Sequence, residues 1–528
     1  MNDYDLSRKQ LLTYGAAGAV GLGALGLVGC GDDDPDSKSS DVKLPSTPTG
    51  TLRAGFIDLG ATAPDPSGGL DPNIISGNSG GARGRLVWDY LFEFIDGKVV
   101  MLLAEEAESS ADAKSWDLTL RQGVEWEDGR PLTPEDVVYT VKGYTDPRSA
   151  NAFLWAGAEA KKTGPRNVRI TFPTPKATFL EMFGFAAAII PENWDPKKPT
   201  GGTGPYRVVS NANGKTVLEA KTDWWRAGQG AGPYAERIEI IGFKDDTARL
   251  NALLADQIDV IDNPPVSQLQ TLDSGGGFSS VVTHSEAASM FSMDAKQEPF
   301  SDVRVRQAMR LIVDRAAMNQ QVLQGKGAIG NDIMSPLSPG YIGGDIEQRE
   351  VDIEQAKSLL KAAGKENLTV ELSTAPIGTG TVEMAQVLIE QAKAAGVTIK
   401  LKQLDAAQWY APEAGYGSRS LEVATLLGGS GYFGNANTLL TSTAAFNTSH
   451  FADKRYDALY TDAIGTLDAD KRNELIGEMQ KIEHDSGTQI IWGFSPNITA
   501  FNDKVKNVTT KPTISPMNNY SLNTLSVA

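Results

Sequence analysis

The single cysteine constrains this chain most, because a protein of 528 residues with one thiol, Cys30, can form no disulfide within itself. Its stability must then come from burying apolar side chains, which a chain of this length can do in two or three domains. Hydrophobic residues make up 41% of the chain and charged residues 22%, as in ordinary globular proteins. The sequence therefore predicts a multidomain protein held together by its hydrophobic cores.

The position of Cys30 predicts export and attachment to a membrane. Arg8 and Lys9 precede an uncharged stretch, residues 11–29, that is short, diluted by glycine and ends in Leu27, Val28 and Gly29. A basic start, a short apolar segment and a small-residue cleavage site are typical of a secretory signal peptide. The pattern resembles a bacterial lipobox, in which the cysteine thiol is acylated and becomes the new N-terminus.

The segment after Cys30 supports this interpretation. Residues 31–50 are rich in Asp, Ser, Pro and Thr, and such a segment does not pack over an apolar helix. The alternative, a buried free cysteine at the end of a hydrophobic helix, is disfavoured for that reason. We predict a signal peptide over residues 1–29 and a lipidated Cys30 with a flexible linker over residues 30–50. Residues 7–12 also resemble a twin-arginine signal with lysine in second place, which leaves the export route open.

The charge and the scattered polar residues exclude several classes of function. The formal net charge of −17 disfavours nucleic-acid binding, which requires a basic surface. The three histidines, His284, His450 and His484, lie far apart and have no zinc-ligand spacing. The glycines at 325, 327 and 330 follow a predicted helix, whereas a dinucleotide site requires a preceding strand. We therefore expect no metal and no cofactor.

Hydrophobic periodicity indicates an α/β chain. In the first half we predict a strand over Thr51–Ile57, a loop over 60–73, a hairpin turning at Asp96–Gly97, a strand over 116–124 and a helix from the N-cap Thr133 through Tyr144. In the second half we predict helices over 302–324, from 352 to Gly364, from 383 to Gly396, over 456–464 and over 475–482, with strands at 397–401 and 490–492. Asp468 or Asp470 is expected to cap the last helix. Helices ended by glycine and followed by strands are typical of α/β folds.

An ordered series of short motifs resembles the large extracytoplasmic solute-binding proteins of ABC importers, the family of dipeptide-, oligopeptide- and nickel-binding proteins. The motifs are Gly50–Arg53, Leu70–Pro72, Leu120–Val124, Asp128–Gly129, Pro131–Val138, Gly202–Tyr206, Ala252–Leu254, Gln257–Val260 and Pro299–Ala308. Each motif alone is weak, but their order is specific. The resemblance covers nearly everything after Gly50.

The resemblance implies a two-lobed α/β fold of the periplasmic-binding-protein type, with an extra subdomain in the first lobe. The first lobe is expected over residues 51–285, with the inserted subdomain at about 66–200. The second lobe is expected over 286–489, and residues 490–528 return to the first lobe. The implied function is a monomeric, non-enzymatic receptor outside the cytoplasmic membrane that delivers a small solute to ABC permease subunits. Two chain crossings between the lobes allow them to close over the solute.

Acidic residues near the best-matching motif do not indicate catalysis. Glu125, Glu127 and Asp128 lie in a predicted strand and turn, where solvent exposure and helix capping explain them. We therefore predict no catalytic residue.

One departure from the family pattern bears on the solute. In relatives that bind peptides with a free amino end, an Asp in the second lobe pairs with the ligand ammonium, but residues 426–437 of this chain contain no acid. A buried ammonium without a carboxylate costs several kcal/mol. We therefore expect a polar, largely uncharged solute, held by glycine backbone, aromatic and amide groups. The predicted residues in this segment are Gly429, Ser430, Gly431, Tyr432, Phe433, Asn435 and Asn437; the alternative is that it is simply a flexible loop.

Further solute-binding candidates lie outside this segment. Phe56 and Asp58 follow the first strand and are the matching edge of the first lobe. Trp155, Met290 and Trp409 are candidate wall residues, although large apolar side chains more often form the core. Two other classes of function remain open at this stage, an extracellular hydrolase and a signalling or adhesion lipoprotein without transport activity.

Overall fold

The computed structural model of the chain describes residues 44–57, 67–74, 77–95, 98–184, 186–197, 201–411, 414–426, 428 and 431–528. The chain divides into two units, Met1–Leu44 and Pro45–Ala528, and every element below belongs to the second unit. The predictions for the signal peptide, Cys30, the Asp96–Gly97 turn, Asp58, Gly429 and Ser430 lie outside the described residues. None of the helices within those ranges has the length and apolar character needed to cross a membrane.

Twenty-two strands are formed by the described part of the chain. In chain order they are β1 (Thr51–Ile57), β2 (Phe92–Ile95), β3 (Lys98–Met101), β4 (Ala104–Ser109), β5 (Ser115–Leu120), β6 (Glu159–Lys162), β7 (Asn167–Thr171), β8 (Tyr206–Ala212), β9 (Lys215–Ala220), β10 (Arg237–Phe243), β11 (Val260–Asp262), β12 (Phe278–Thr283), β13 (Ala288–Met293), β14 (Ala328–Ile329), β15 (Thr369–Thr374), β16 (Thr398–Gln403), β17 (Leu421–Leu426), β18 (Gln489–Ile490), β19 (Gly493–Phe494), β20 (Asn497–Asn502), β21 (Val505–Lys506) and β22 (Ser526–Val527).

The α-helices alternate with these strands. They are α1 (Gly77–Val87), α2 (Pro134–Tyr144), α3 (Ala152–Trp155), α4 (Phe179–Met182), α5 (Asp246–Leu254), α6 (Leu269–Ser274), α7 (Val303–Ile312), α8 (Arg315–Leu323), α9 (Ile353–Ala362), α10 (Thr381–Ala392), α11 (Ala406–Trp409), α12 (Gly431–Asn435), α13 (Lys454–Gly465) and α14 (Ala469–Ser486). A π-helical turn, Ala436–Leu440, continues directly from α12. A short turn at Pro516–Asn519 contains left-handed residues.

Two main sheets define a two-lobed α/β fold, as predicted. The sheet of the first lobe has the strand order β12-β20-β11-β1-β10-β9-β8, and the sheet of the second lobe has the order β16-β15-β17-β13-β18. In the first, β1 runs parallel to both β10 and β11, and β20 runs antiparallel to its two neighbours. In the second, β15 runs parallel to β16 and β17, and β13 runs antiparallel to β17 and β18.

A third sheet, with the order β4-β5-β7-β6, is formed between β1 and β8 of the first lobe in the chain. Its core is aromatic: the Trp155 ring lies 5.3 Å from Tyr144 and 4.8 Å from Phe183, measured between ring centroids. Edge and offset contacts between such rings add about 0.5–1.5 kcal/mol each beyond the burial of their area. These contacts stabilise the inserted segment, and its buried residues belong to the same apolar cluster as those of β1.

The chain crosses between the two main sheets twice. One passage joins β12 to β13 through residues 284–287, and the other joins β19 to β20 through residues 495–496. The Ser495 N–H donates to the Ala287 carbonyl oxygen at 2.7 Å, and the Ser285 hydroxyl donates to the Ser495 carbonyl oxygen at 2.6 Å. The two passages therefore lie side by side and form a double-stranded hinge. The second passage comes a few residues after the predicted boundary at 489, because β18 and β19 still pair with strands of the second lobe.

Local sequence signals explain most of the element boundaries. Helix α2 begins at Pro134, as predicted, and the Asp136 carboxylate accepts the Thr133 N–H at 2.8 Å. Asp468, rather than Asp470, caps α14 by accepting the Lys471 N–H at 3.0 Å. The continuous helix predicted over 302–324 is wrong: α7 ends at Ile312, and Asp314 caps a new helix by accepting the Ala317 N–H at 2.8 Å. A capping side chain here satisfies the first N–H groups of the second helix.

Candidate functional site

The candidate site lies where the parallel strands of both sheets end at the hinge. In the first lobe β12 ends at Thr283, opposite Asn497, where the two hinge passages begin and return. In the second lobe β17 ends at Leu426, opposite Ala288 at the start of β13. Open α/β sheets bind ligands beyond the carboxyl ends of their parallel strands. Each lobe therefore turns the carboxyl end of its sheet toward the hinge, and we call these two ends the candidate binding edges.

The edge of the first lobe carries a buried polar cluster beneath the predicted residue Phe56. The Phe56 ring has no exposed surface and lies 5.9 Å from the Tyr520 ring. The Tyr520 hydroxyl donates to Asp262 at 3.1 Å, and Asp262 also forms an ion pair with Arg249 at 2.6 Å. Burial raises the pKa of Asp262, although Arg249 acts in the opposite direction. These contacts hold the side chains at the carboxyl ends of β1 and β11 in place.

The predicted segment of the second lobe lies directly on the hinge. A Cβ placed on Gly428 would lie 3.5 Å from the Ala287 amide nitrogen and 3.3 Å from the Ile514 carbonyl oxygen. Gly431 begins α12 with a φ of +59°, a conformation that glycine adopts without strain. A side chain at either position would thus be crowded or strained. The backbone here approaches both the hinge and the C-terminal stretch of the first lobe.

The predicted residues of α12 are mostly buried. Tyr432, Phe433 and Asn435 are each 5% exposed or less, whereas Asn437 on the following π-helical turn is partly exposed. The Asn435 amide donates to the Ser335 hydroxyl at 2.8 Å. Among the residues of this segment that the structure describes, Asn437 therefore has the polar side chain with the best access to a solute.

A hydrogen-bond network behind α12 holds Tyr432 in place. The Tyr432 hydroxyl lies 3.2 Å from Glu483 and 3.2 Å from the Tyr456 hydroxyl. The other carboxylate oxygen of Glu483 accepts the Met334 N–H at 2.8 Å. Burial raises the pKa of Glu483 to about 8, against the opposing effect of these hydrogen bonds. The network ties α12 to α13 and α14.

A loop that sequence reasoning missed supports the same segment. We name residues Met334–Ser338 the serine loop. The Ser338 hydroxyl donates to Glu286 at 3.0 Å and accepts the Tyr432 N–H at 3.0 Å. Glu286 belongs to the hinge and is 3% exposed. Only a short Ser-Pro repeat marks this loop in the sequence, and nothing local relates it to residues 100 positions away.

The remaining predicted residues lie elsewhere in their lobes. Trp155 is in the aromatic core of the four-stranded sheet, and its indole N–H donates to the Ala186 carbonyl oxygen at 3.1 Å. Trp409 is 2% exposed, and the Arg419 guanidinium lies 4.0 Å above its ring. Met290 is buried in the middle of β13. Phe56 and α12 are thus at the two binding edges, while both tryptophans contact residues of their own lobes.

Three of the acidic and histidine residues considered above bond to neighbouring side chains. Asp128 forms an exposed ion pair with Arg130 at 2.8 Å, in the predicted turn. His450 contacts Asp294 at 2.8 Å, and His484 contacts Arg349 at 3.1 Å. Within the described residues no cluster of three His, Cys, Asp or Glu side chains could hold a metal ion.

A separate surface pocket of about 350 Å³ lies at the far end of the second lobe, beyond the last residue of β13. It is lined by Lys296, Tyr416, Phe446 and His450 among others. His450 is already bonded to Asp294, and the nearby Asn447 side chain bonds the Phe451 backbone. The hinge edges, which combine both lobes, are the better candidate for the main site.

Comparison with known proteins agrees with this geometry. The family model "Bacterial extracellular solute-binding proteins, family 5 Middle" matches residues 98–446. The heme-binding protein A of Haemophilus influenzae is 26% identical, with 85% of this chain and 89% of that protein covered. The dipeptide-binding protein of Escherichia coli is 24% identical, with 84% of this chain and 90% of that protein covered.

Solved structures share the fold. The ABC transporter substrate-binding protein CtaP of Listeria monocytogenes has a TM-score of 0.78 at 22% identity, over 91% of this chain and all of that chain. The binding protein AgaA of A. tumefaciens, solved with agropinic acid, has a TM-score of 0.73 at 21% identity, over 91% of this chain and 99% of that chain.

The matched family model spans well over half of the chain, and its members are binding proteins rather than enzymes. The predictions of the family and of a non-enzymatic function are confirmed, and the hydrolase alternative is excluded. The chain belongs to the bacterial extracellular solute-binding proteins of family 5.

Proposed function

We propose that this protein is a lipid-anchored receptor outside the cytoplasmic membrane, which binds a small solute between its lobes and delivers it to an ABC permease. The observation that carries the proposal is the pair of binding edges that meet at a double-stranded hinge. A hinge of two short passages lets the lobes rotate without unfolding either core. Closure then excludes water from the solute.

Membrane attachment follows from Cys30. A cysteine with a diacylglyceryl group would carry two acyl chains, which suffice for stable anchoring because each buried methylene contributes about 0.8 kcal/mol. A monomeric receptor on this tether would remain close to its permease. The acidic net charge of −17 keeps the receptor from lying on anionic lipid.

The composition of the second-lobe segment supports a polar solute without a free ammonium group, such as an oligosaccharide, a modified peptide or another polar compound. Residues 426–437 contain no acid. Two carboxylates behind the segment, Glu286 and Glu483, already accept hydrogen bonds from Ser338, Met334 and Tyr432. Backbone amides and Asn437 would bind carbonyl and hydroxyl groups. The solutes named for relatives include heme, dipeptides and agropinic acid, so the family fold accepts several chemical classes.

A thermal-shift panel tests this proposal. We expect at least one compound among peptides, oligosaccharides, opines and metal chelates to raise the melting temperature by at least about 2 °C at saturating concentration, since native-state binding stabilises by mass action. Small-angle scattering with the same compound should show a more compact protein. If no compound shifts the melting temperature or the scattering curve, the proposal is contradicted.

Two asparagine variants locate the binding. Asn437→Ala removes one hydrogen-bonding side chain from the proposed site and should weaken the identified compound about fivefold to tenfold. Asn367→Ala, an exposed residue before β15 at the opposite end of the second-lobe sheet, should leave affinity unchanged. If both variants bind the compound with equal affinity, the segment around α12 does not form the binding site.

A further inference from the structure

The serine loop forms hydrogen bonds with three parts of the protein: the hinge, α12 and α14. Its Ser338 contacts the hinge through Glu286 and α12 through the Tyr432 N–H, each at 3.0 Å. Its Ser335 accepts the Asn435 amide at 2.8 Å, and its Met334 N–H donates to Glu483 at 2.8 Å. The loop thus holds both ends of α12 and one residue of the hinge.

These contacts attach one residue of the first hinge passage to the second lobe. Glu286 is bonded to Ser338 of the second lobe, and Ala287 accepts the Ser495 N–H at 2.7 Å. Glu286 is therefore tied to the second lobe, whereas Ala287 is tied to the second hinge passage. Rotation between the lobes involves His284 and Ser285, immediately after β12, together with the second passage, because the Ser285 hydroxyl donates to the Ser495 carbonyl oxygen.

A Cβ placed on Gly431 would lie 3.5 Å from the Ser338 hydroxyl oxygen. Because this hydroxyl also donates to Glu286, the Ser338 side chain contacts both the start of α12 and the hinge. We propose that Ser338 is a positioning residue that couples Glu286 of the hinge to the segment around α12, so that rotation at the hinge and the placement of α12 against a solute depend on each other. The inference rests on the proposed function only in assigning the segment to the solute site; the coupling itself exists without solute.

The test uses the solute-free full-length protein with Cys30→Ser and two spin labels, on Lys244→Cys in the first lobe and Lys400→Cys in the second. Both lysines are exposed, and Cys30 is the chain's only native thiol. Ser338→Ala removes one donor and one acceptor. We expect the ratio of closed to open distances to change about fivefold, and the Tyr432 amide to exchange its hydrogen about tenfold faster.

Two further variants separate coupling from a general loss of stability. Ser338→Thr keeps the hydroxyl and should restore both values. Ser301→Ala removes a similar serine–carboxylate hydrogen bond, 2.8 Å to Glu298, on the surface of the same lobe and should change neither. Distances in Ser338→Ala identical to the parent, or a threonine variant that fails to restore them, would overturn the inference. Failure of the thermal-shift panel would instead contradict the proposed function and leave this measurement unaffected.

Discussion

Asp332→Asn is expected to lower the free energy of unfolding by about 3–5 kcal/mol, because it leaves buried guanidinium groups without a counter-charge. The Asp332 carboxylate lies 2.7 Å from Arg315, 2.8 Å from Arg349 and 3.9 Å from Arg310, and its side chain has no exposed surface. Burial alone would raise the pKa of Asp332, but the three arginines outweigh it and hold the pKa below its usual value. Urea unfolding at neutral pH measures the loss.

The Asp332→Asn substitution removes the negative charge and keeps the size of the side chain. Asp332 has a φ of +58°, which asparagine adopts nearly as well, and an amide oxygen can still accept the Ile491 N–H at 3.0 Å. Glu354→Gln is the matched control, because its exposed pair with Lys357 is expected to contribute less than about 1 kcal/mol. A loss below about 1 kcal/mol in Asp332→Asn would show that the arginines do not depend on this carboxylate.

Glu483→Gln is expected to remove a large pH dependence of stability. The pKa of Glu483 is raised from 4.5 to about 8 by burial, so the folded state holds a proton that the unfolded state releases at lower pH. The stabilisation is therefore complete below pH 4.5 and is lost as pH rises to about 8, at up to about 1.4 kcal/mol per unit. At pH 8.5 the variant should be more stable than the parent, by at most about 5 kcal/mol.

Denaturant unfolding of both proteins between pH 5 and 9 measures this difference. Glutamine keeps an acceptor for the Met334 N–H, and the neighbouring Arg310 and Asp332 are unchanged. Glu474→Gln, at an exposed position on the same helix, is the control and should leave the pH profile as in the parent. Parallel profiles for Glu483→Gln and the parent would mean that Glu483 is already ionised near neutral pH.

Local signals made much of the fold predictable. The Thr133–Asp136 cap, the glycine that ends α9 (Gly364) and the strand at Thr51 depend on neighbouring residues, and each appears where expected. The break between α7 and α8 was missed because apolar residues keep a helical spacing across it. Only the Asp314 carboxylate, bonded to Ala317, starts the second helix.

The site was predictable only in part, for a physical reason. The segment around α12 could be predicted as a candidate because this chain lacks the acid that the family pattern has there. Ser338, Glu286 and Glu483 could not be predicted. Ser338 and Glu483 contact α12, and Glu286 contacts Ser338, through hydrogen bonds between residues 51 to 94 positions apart. Trp155 was predicted as a wall residue of the site but packs in an aromatic core. The sequence alone does not distinguish an aromatic residue in a core from one that lines a binding site.

The central claim is that a solute is held between the lobes and released chemically unchanged. Native mass spectrometry of the protein purified from its own host tests it most directly, with the bound compound identified after unfolding and compared with the compound supplied in the medium. We predict one small molecule per chain, recovered intact. A chain that carries no compound under any growth condition, or one that returns a cleaved or modified product, would contradict the account.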